Sequence, residues 1–128
     1  MINEALGKHI DMGGKAILVT GGARGIGRES ARLLAEAGAT AILGDINREG
    51  AEKTAAEFKA AGLDAVAFQV DVASEDSVKK LMADAMKVKN RLDVLVNNAG
   101  ILDPTSVEEM TVEKWDRMLA VNLRGVQL

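Results

Sequence analysis

The segment Thr20-Gly21-Gly22-Ala23-Arg24-Gly25-Ile26-Gly27 is the stretch of this chain whose residue types and spacing point most directly to chemistry. Glycine lets a backbone turn tightly and approach a ligand closely, because no Cβ stands in the way. Where a helix follows such a turn, its first N–H groups lack intrahelical partners and its dipole presents positive charge. Gly21, Arg24, Gly25, Ile26 and Gly27 therefore read as a cradle for a diphosphate set on a helix N-terminus. The spacing is Gly21-x3-Gly25-x-Gly27, with Ser30 where the strict dinucleotide fingerprint would have its last glycine. Alone, the pattern also suits an ordinary strand-to-helix turn, so its neighbours must decide between the two.

Asp45 lies 24 positions after Gly21, close to the separation at which an acidic residue meets the ribose hydroxyls of a dinucleotide. A carboxylate there accepts hydrogen bonds from a free ribose and repels the extra phosphate of NADP, which favours NAD. Arg24 argues the opposite way, since a guanidinium in the cradle can pair with a 2′-phosphate. Asp45 weighs more, because it would stand at the ribose itself. Asp71 follows a later apolar run, where its carboxylate can accept from an adenine amino group or form a turn before Ala73-Ser74. Asn97-Asn98-Ala99-Gly100 also follows an apolar run, and these residue types suit a turn as well as a ligand.

Such residues need a scaffold, and apolar periodicity supplies one. Lys15 to Thr20 is a continuous apolar run ending in glycines, the mark of a strand buried on both faces. From Gly25 to Ala37 the apolar positions fall at helical spacing, and Gly38 provides a stop. The alternation repeats with a strand over Thr40 to Asp45 and a helix over Glu49 to Ala61, closed by Gly62. A third strand covers Ala65 to Val70, and Ser74 with Glu75 and Asp76 opens a helix running to about Val88. Leu92 to Asn97 makes a fourth strand, and past Pro104 a helix starts near Thr111 and carries Trp115, Met118, Leu119 and Leu123. Strands alternating with helices imply parallel βαβ units with right-handed crossovers. The expected fold is α/β, a Rossmann-like doubly wound parallel sheet of order 3-2-1-4, incomplete because the fourth strand lacks a neighbour. Residues 1–14 form an N-terminal arm ahead of the nucleotide-binding domain 15–128.

Composition narrows the function classes. The chain has 128 residues, 48% apolar and 27% charged, which suits one globular domain. A net charge of −3 and only three aromatic residues, Phe58, Phe68 and Trp115, leave no footprint for nucleic acid. No apolar stretch is long enough to span a bilayer, and Met1 to Gly14 lacks a secretory pattern. The absence of cysteine fits a reducing compartment, so a cytoplasmic location is expected. His9, the one histidine, lies in the arm without a fixed partner and is no candidate for catalysis. The acids are interleaved with Lys and Arg on helices, reading as solvated surface rather than a metal site. Trp115, Met118 and Leu119 read as core or as a subunit contact.

Four motifs in order, Thr20-Gly-x-x-x-Gly-x-Gly27, Asp71-Val72, Asn97-Asn98-Ala99-Gly100 and Asn122, resemble the short-chain dehydrogenase/reductase family from about Lys15 to the end. The resemblance implies that Asp71 and Val72 flank the adenine of NAD(P), and that Asn98, Ala99 and Gly100 line the cofactor between its two ends. It also implies that Asn122 is the asparagine of a catalytic tetrad, holding a water that links the catalytic lysine to solvent. Read without the family, Asn122 is a polar residue within a helix. The family completes its chemistry with a serine and a Tyr-x-x-x-Lys pair beyond this helix, and the present sequence contains no tyrosine. The tyrosine would act as general acid/base on an alcohol or ketone substrate. The expectation is an N-terminal half of a homo-oligomeric oxidoreductase, able to bind NAD but inactive alone. The alternative is a non-catalytic nucleotide-binding or assembly module.

Overall fold

The protein is described by a computed structural model that covers residues 10–128. His9 and most of the expected arm lie outside the described residues. The arm's last residues dock: the Met12 N–H donates to the Ala37 carbonyl at 2.9 Å and the Met12 side chain packs against the core.

Strands β1 (Ala16–Thr20), β2 (Thr40–Asp45), β3 (Ala65–Gln69) and β4 (Val94–Val96) alternate with helices α1 (Gly25–Glu36), α2 (Arg48–Ala60) and α3 (Glu75–Lys89). Helix α4 (Val112–Leu119) continues as a π-helical stretch over Ala120–Arg124 and a last turn over Gly125–Gln127. All strand pairings are parallel and the order is β3-β2-β1-β4, as the alternation of the sequence implies. Expected and observed strand ends differ by a residue or two, which matters most for the short fourth strand.

The central strand β1 shows why a continuous apolar run was needed. Ile17 and Val19 face one core, with Ala31 and Ala35 of α1 and Phe58 of α2, while Ala16 and Leu18 face the other, with Leu81 and Ala85 of α3. Each of the four β1 residues is fully buried. Alanines at the helix contacts let α1 and α3 lie close to the sheet, where dispersion contacts are densest. Helix starts follow local chemistry: Asn47 Oδ1 accepts from Gly50 N, Ser74 Oγ from Ser77 N, and Thr111 Oγ1 from Lys114 N.

Two expectations need correction. The fourth strand is three residues long rather than Leu92 to Asn97, and Leu95 is 45% exposed. At its start Asp93 N still donates to Ala16 O of β1 at 2.9 Å, but the Ala16 N–H is taken by the Asp93 side chain, Oδ2 accepting it at 2.8 Å. Its end is altered because Asn98 turns inward to Thr20. The core reading of Trp115 and Leu119 also fails: α4 has no buried residue, and these side chains are 54% and 40% exposed. Among the described residues both side chains stay largely open to solvent.

Candidate functional site

Beyond the C-terminal ends of the strands lies a cleft of about 360 Å³. In a doubly wound sheet such a crevice opens where the chain, after filling one side of the first strand, crosses to the other. Here β1 lies between β2 and β4, so the loops after them diverge above it. Four separate segments line the cleft: Gly21 with Arg24 to Ile26, Asp45 with Ile46, Val70 to Val72, and Asn98 to Ile101. The structure thus gathers every residue expected to contact a cofactor except Gly27.

The glycine turn explains that exception. Gly21 and Gly25 have φ of +69° and +58°, a region costly for any residue with a Cβ. A Cβ added to Gly25 would meet nothing within 4 Å, so this turn leaves open space over its backbone. Gly27 instead is buried: its Cβ would come 2.2 Å from Gly21 O and 2.4 Å from Asn98 Nδ2. It works behind the cleft, letting the first turn of α1 sit against the turn that precedes it. Arg24 occupies the N-cap in an extended conformation without a side-chain cap, leaving the first donors of α1 to another acceptor. Ile26 is 81% exposed at that helix start.

Polar side chains hold the turn from below. Thr20 Oγ1 accepts from Asn98 N at 3.2 Å and Ala99 N at 3.1 Å. Asn98 Nδ2 donates to the carbonyls of Thr20 (3.0 Å) and Gly21 (3.2 Å), tying the end of β4 to the end of β1. The Asp45 carboxylate accepts from Ala23 N through Oδ2 at 3.0 Å and from Asn47 N through Oδ1 at 2.9 Å. A carboxylate has about four acceptor positions, so Asp45 retains capacity for a ligand. Asp71 Oδ1 accepts from Ala73 N at 2.9 Å, which is the turn reading, yet the residue also lines the cleft.

Asn122 does not line the cleft; it is bonded to Ile101, which does. Its Oδ1 accepts from Ile101 N and its Nδ2 donates to Ile101 O, both at 2.8 Å. This two-point grip issues from the π-helical stretch, a distortion that recurs at functional sites. Past Ile101 the loop is fastened by Asp103, Thr105 and Lys114, and hydrogen bonds from the Thr105 hydroxyl and backbone hold the Asp103 carboxyl below its ordinary range, with Lys114 adding to the effect. Sequence reasoning missed Ile46, Val70 and Ile101 as lining residues, because apolar side chains at strand ends carry no chemical signature. Among the described residues no group of three His, Cys, Asp or Glu is placed to hold a metal ion, and no helix is long and apolar enough to cross a membrane.

Comparison with known proteins gives the site its relatives. The family described as short chain dehydrogenase matches residues 15–128. The 2,5-dichloro-2,5-cyclohexadiene-1,4-diol dehydrogenase of Sphingobium indicum is 40% identical over 117 residues, 91% of this chain and 47% of that protein. The cis-4-hydroxycyclohexanecarboxylate dehydrogenase of Sinomonas cyclohexanicum is 44% identical over 115 residues, 89% of this chain and 46% of that protein. Among solved structures, a doubly substituted variant of a Serratia marcescens short-chain dehydrogenase/reductase is 36% identical with a TM-score of 0.85, covering 91% of this chain and 48% of that one. A short-chain dehydrogenase from Novosphingobium aromaticivorans is 33% identical with a TM-score of 0.87, over 91% and 43% of the two chains. The chain spans about half the length of these relatives. The family match over nearly all of the described residues, together with the likeness in fold and sequence to solved members, makes this chain a member of the short-chain dehydrogenase/reductase family.

Proposed function

We propose that this chain is the cofactor-binding half of an NAD-dependent oxidoreductase that interconverts an alcohol and a ketone. The observation that carries the reading is the convergence of four distant segments on one cleft whose glycine turn leaves open space over Gly25. A diphosphate fits such a turn, since the uncapped start of α1 supplies N–H donors at Gly25 and Ile26 and a positive dipole end. Asp45 would take the adenosine ribose, and Asp71 with Val72 would flank the adenine. Asn98, Ala99 and Gly100 would line the middle of the cofactor, and Asn122 would act through Ile101. Bound nicotinamide supplies the hydride acceptor or donor. The names of two relatives, dehydrogenases of a cyclohexadienediol and of a hydroxycyclohexanecarboxylate, support a secondary alcohol as substrate class.

NAD is preferred over NADP in this reading because Asp45 is fixed at its place by two backbone donors, whereas among the described residues none bonds the exposed Arg24 side chain. The sequence has no tyrosine to act as general acid/base, so residues 1–128 alone turn over no substrate. The exposed apolar face of α4 supports a homo-oligomer. A cytoplasmic location belongs to the proposal and rests on composition alone.

Titration calorimetry of the chain with NAD and with NADP tests the proposal. The expected result is saturable binding of NAD with weaker binding of NADP. Equal affinities would remove the NAD preference, and no binding of either would overturn the reading of the cleft.

A further inference from the structure

Between Gly21 and Gly25 the two residues with side chains are Ala23 and Arg24. Ala23 does not line the cleft; its neighbours Gly21, Arg24 and Gly25 do. It is nevertheless held at both of its backbone groups. Its N–H donates to Asp45 Oδ2 at 3.0 Å, and its carbonyl accepts from Thr54 Oγ1 at 2.8 Å. Thr54 is only 4% exposed and belongs to α2, one helical turn after Gly50. A Cβ on Gly50 would come 3.4 Å from the Ala23 Cβ, so the Ala23 methyl already sits over the bare backbone of α2. The start of α2 is set in turn by Asp45, whose second oxygen accepts from Asn47 N, and by the Asn47 cap on Gly50. A closed ring of hydrogen bonds runs from Ala23 through Asp45 and Asn47 into α2, and returns through Thr54.

We infer that Thr54 is a positioning residue for the diphosphate cradle: its buried hydroxyl, bonded to the Ala23 carbonyl, pins the glycine turn in the shape that a diphosphate requires. This rests on the reading of the cleft given above. Gly21, Gly22 and Gly25 make the turn expensive to order, since glycine loses more freedom than any other residue. Asp45 fixes the peptide before Ala23 and Thr54 the peptide after it, so the dihedral angles between them are held. No peptide bond here is cis, and a trans peptide directs its N–H opposite to its C=O. Holding the Ala23 carbonyl toward α2 therefore directs the Arg24 N–H away from α2 and fixes where Gly25 begins the helix. A turn ordered in advance spends less of its binding free energy on ordering.

Thr54→Val, which keeps the shape and removes the hydroxyl, and Thr54→Ser, which keeps the hydroxyl, test this in the 128-residue chain. For Thr54→Val the NAD dissociation constant should rise roughly threefold to tenfold, the range expected for one lost hydrogen bond with its acceptor left buried. Thr54→Ser should stay within about twofold of the parent, the hydroxyl being retained. Adenosine, which lacks the diphosphate, should bind all three proteins alike in an NMR titration. The Ala23 and Arg24 amides of ligand-free Thr54→Val should exchange with solvent faster than those of the parent. Unchanged NAD affinity in Thr54→Val, or a loss of adenosine binding equal to the loss of NAD binding, would overturn the role. If the parent binds no NAD, the reading of the cleft fails, while amide exchange still reports whether Thr54 holds the turn.

Discussion

At the scale of single residues, the cleft is lined by groups with divided duties. The carboxylate of Asp45 faces the cleft, yet both its oxygens already serve backbone N–H groups. Asp45→Ala should therefore do two things: narrow the gap between NAD and NADP, because the charge that repels a 2′-phosphate is gone, and weaken NAD, because the turn loosens. Parallel titrations of the two cofactors read both effects, and an unchanged affinity ratio would sink the assignment of Asp45 to the ribose. Asn122 is the converse case, a residue implied by resemblance to be part of a catalytic set that here grips a backbone. Asn122→Ala removes both partners of the Ile101 peptide and should cost about 1 kcal/mol of stability, as the site is partly solvated. Faster exchange of the Ile101 amide is the direct check. The type of residue at 45 and 122 was legible in the sequence, but the backbone groups that occupy them were not, since those partners come from distant segments.

At the scale of elements, the strands follow the sequence because parallel strands buried on both faces read as unbroken apolar runs. Where a side chain replaces a backbone partner, that legibility fails, as at Asp93 and Asn98 on either side of the short β4. Hydrogen bonds from Arg91 and from the Ala16 N–H, with Lys15 nearby, hold the Asp93 carboxyl at about 2 against an ordinary value of 3.8. A carboxyl whose folded value is lowered adds stability that is complete above its unfolded value and is lost as pH falls toward its folded one. The chain should thus lose stability between pH 3.8 and about 2 through this residue, and Asp93→Asn should be weaker at neutral pH with a shallower acid slope. Urea denaturation across this range measures it, and an identical slope in the variant would contradict the tie between β1 and β4. The junction of α1 with its turn is stricter still. Gly27→Ala would force a methyl into the Gly21 carbonyl and Asn98 amide, at a cost of about 3 kcal/mol or more for overpacking without room to shift. A melting temperature close to the parent's would show that α1 can move away, and that Gly27 is not needed for packing.

At the scale of the whole molecule, two surfaces stand unfinished among the described residues. Strand β4 pairs on one side only, with β1, and Leu95 is half exposed beside it. Helix α4 and its π-helical continuation present Trp115, Leu119 and Leu123 at 54%, 40% and 67% exposure. Periodicity alone read Trp115 and Leu119 as core or contact, because a helical stripe records that an apolar face exists and not what covers it. The order and direction of strands were legible, whereas the coverage of that face depends on surfaces outside the local pattern. The outer face of this helix carries Asp116, Leu119, Ala120, Leu123 and Arg124 in sequence spacing that repeats every three or four positions. Contiguous apolar surface of this kind, rimmed by charge, drives association in water. Replacing Leu119 and Leu123 together by Glu should therefore lower the mass seen by light scattering across a concentration series, while circular dichroism and NAD affinity stay as in the parent, since neither residue lines the cleft. A parent chain that remains monomeric at the highest concentration would leave this face without an assembly role, and a double variant that loses NAD as well would show that the face supports the cleft rather than a partner.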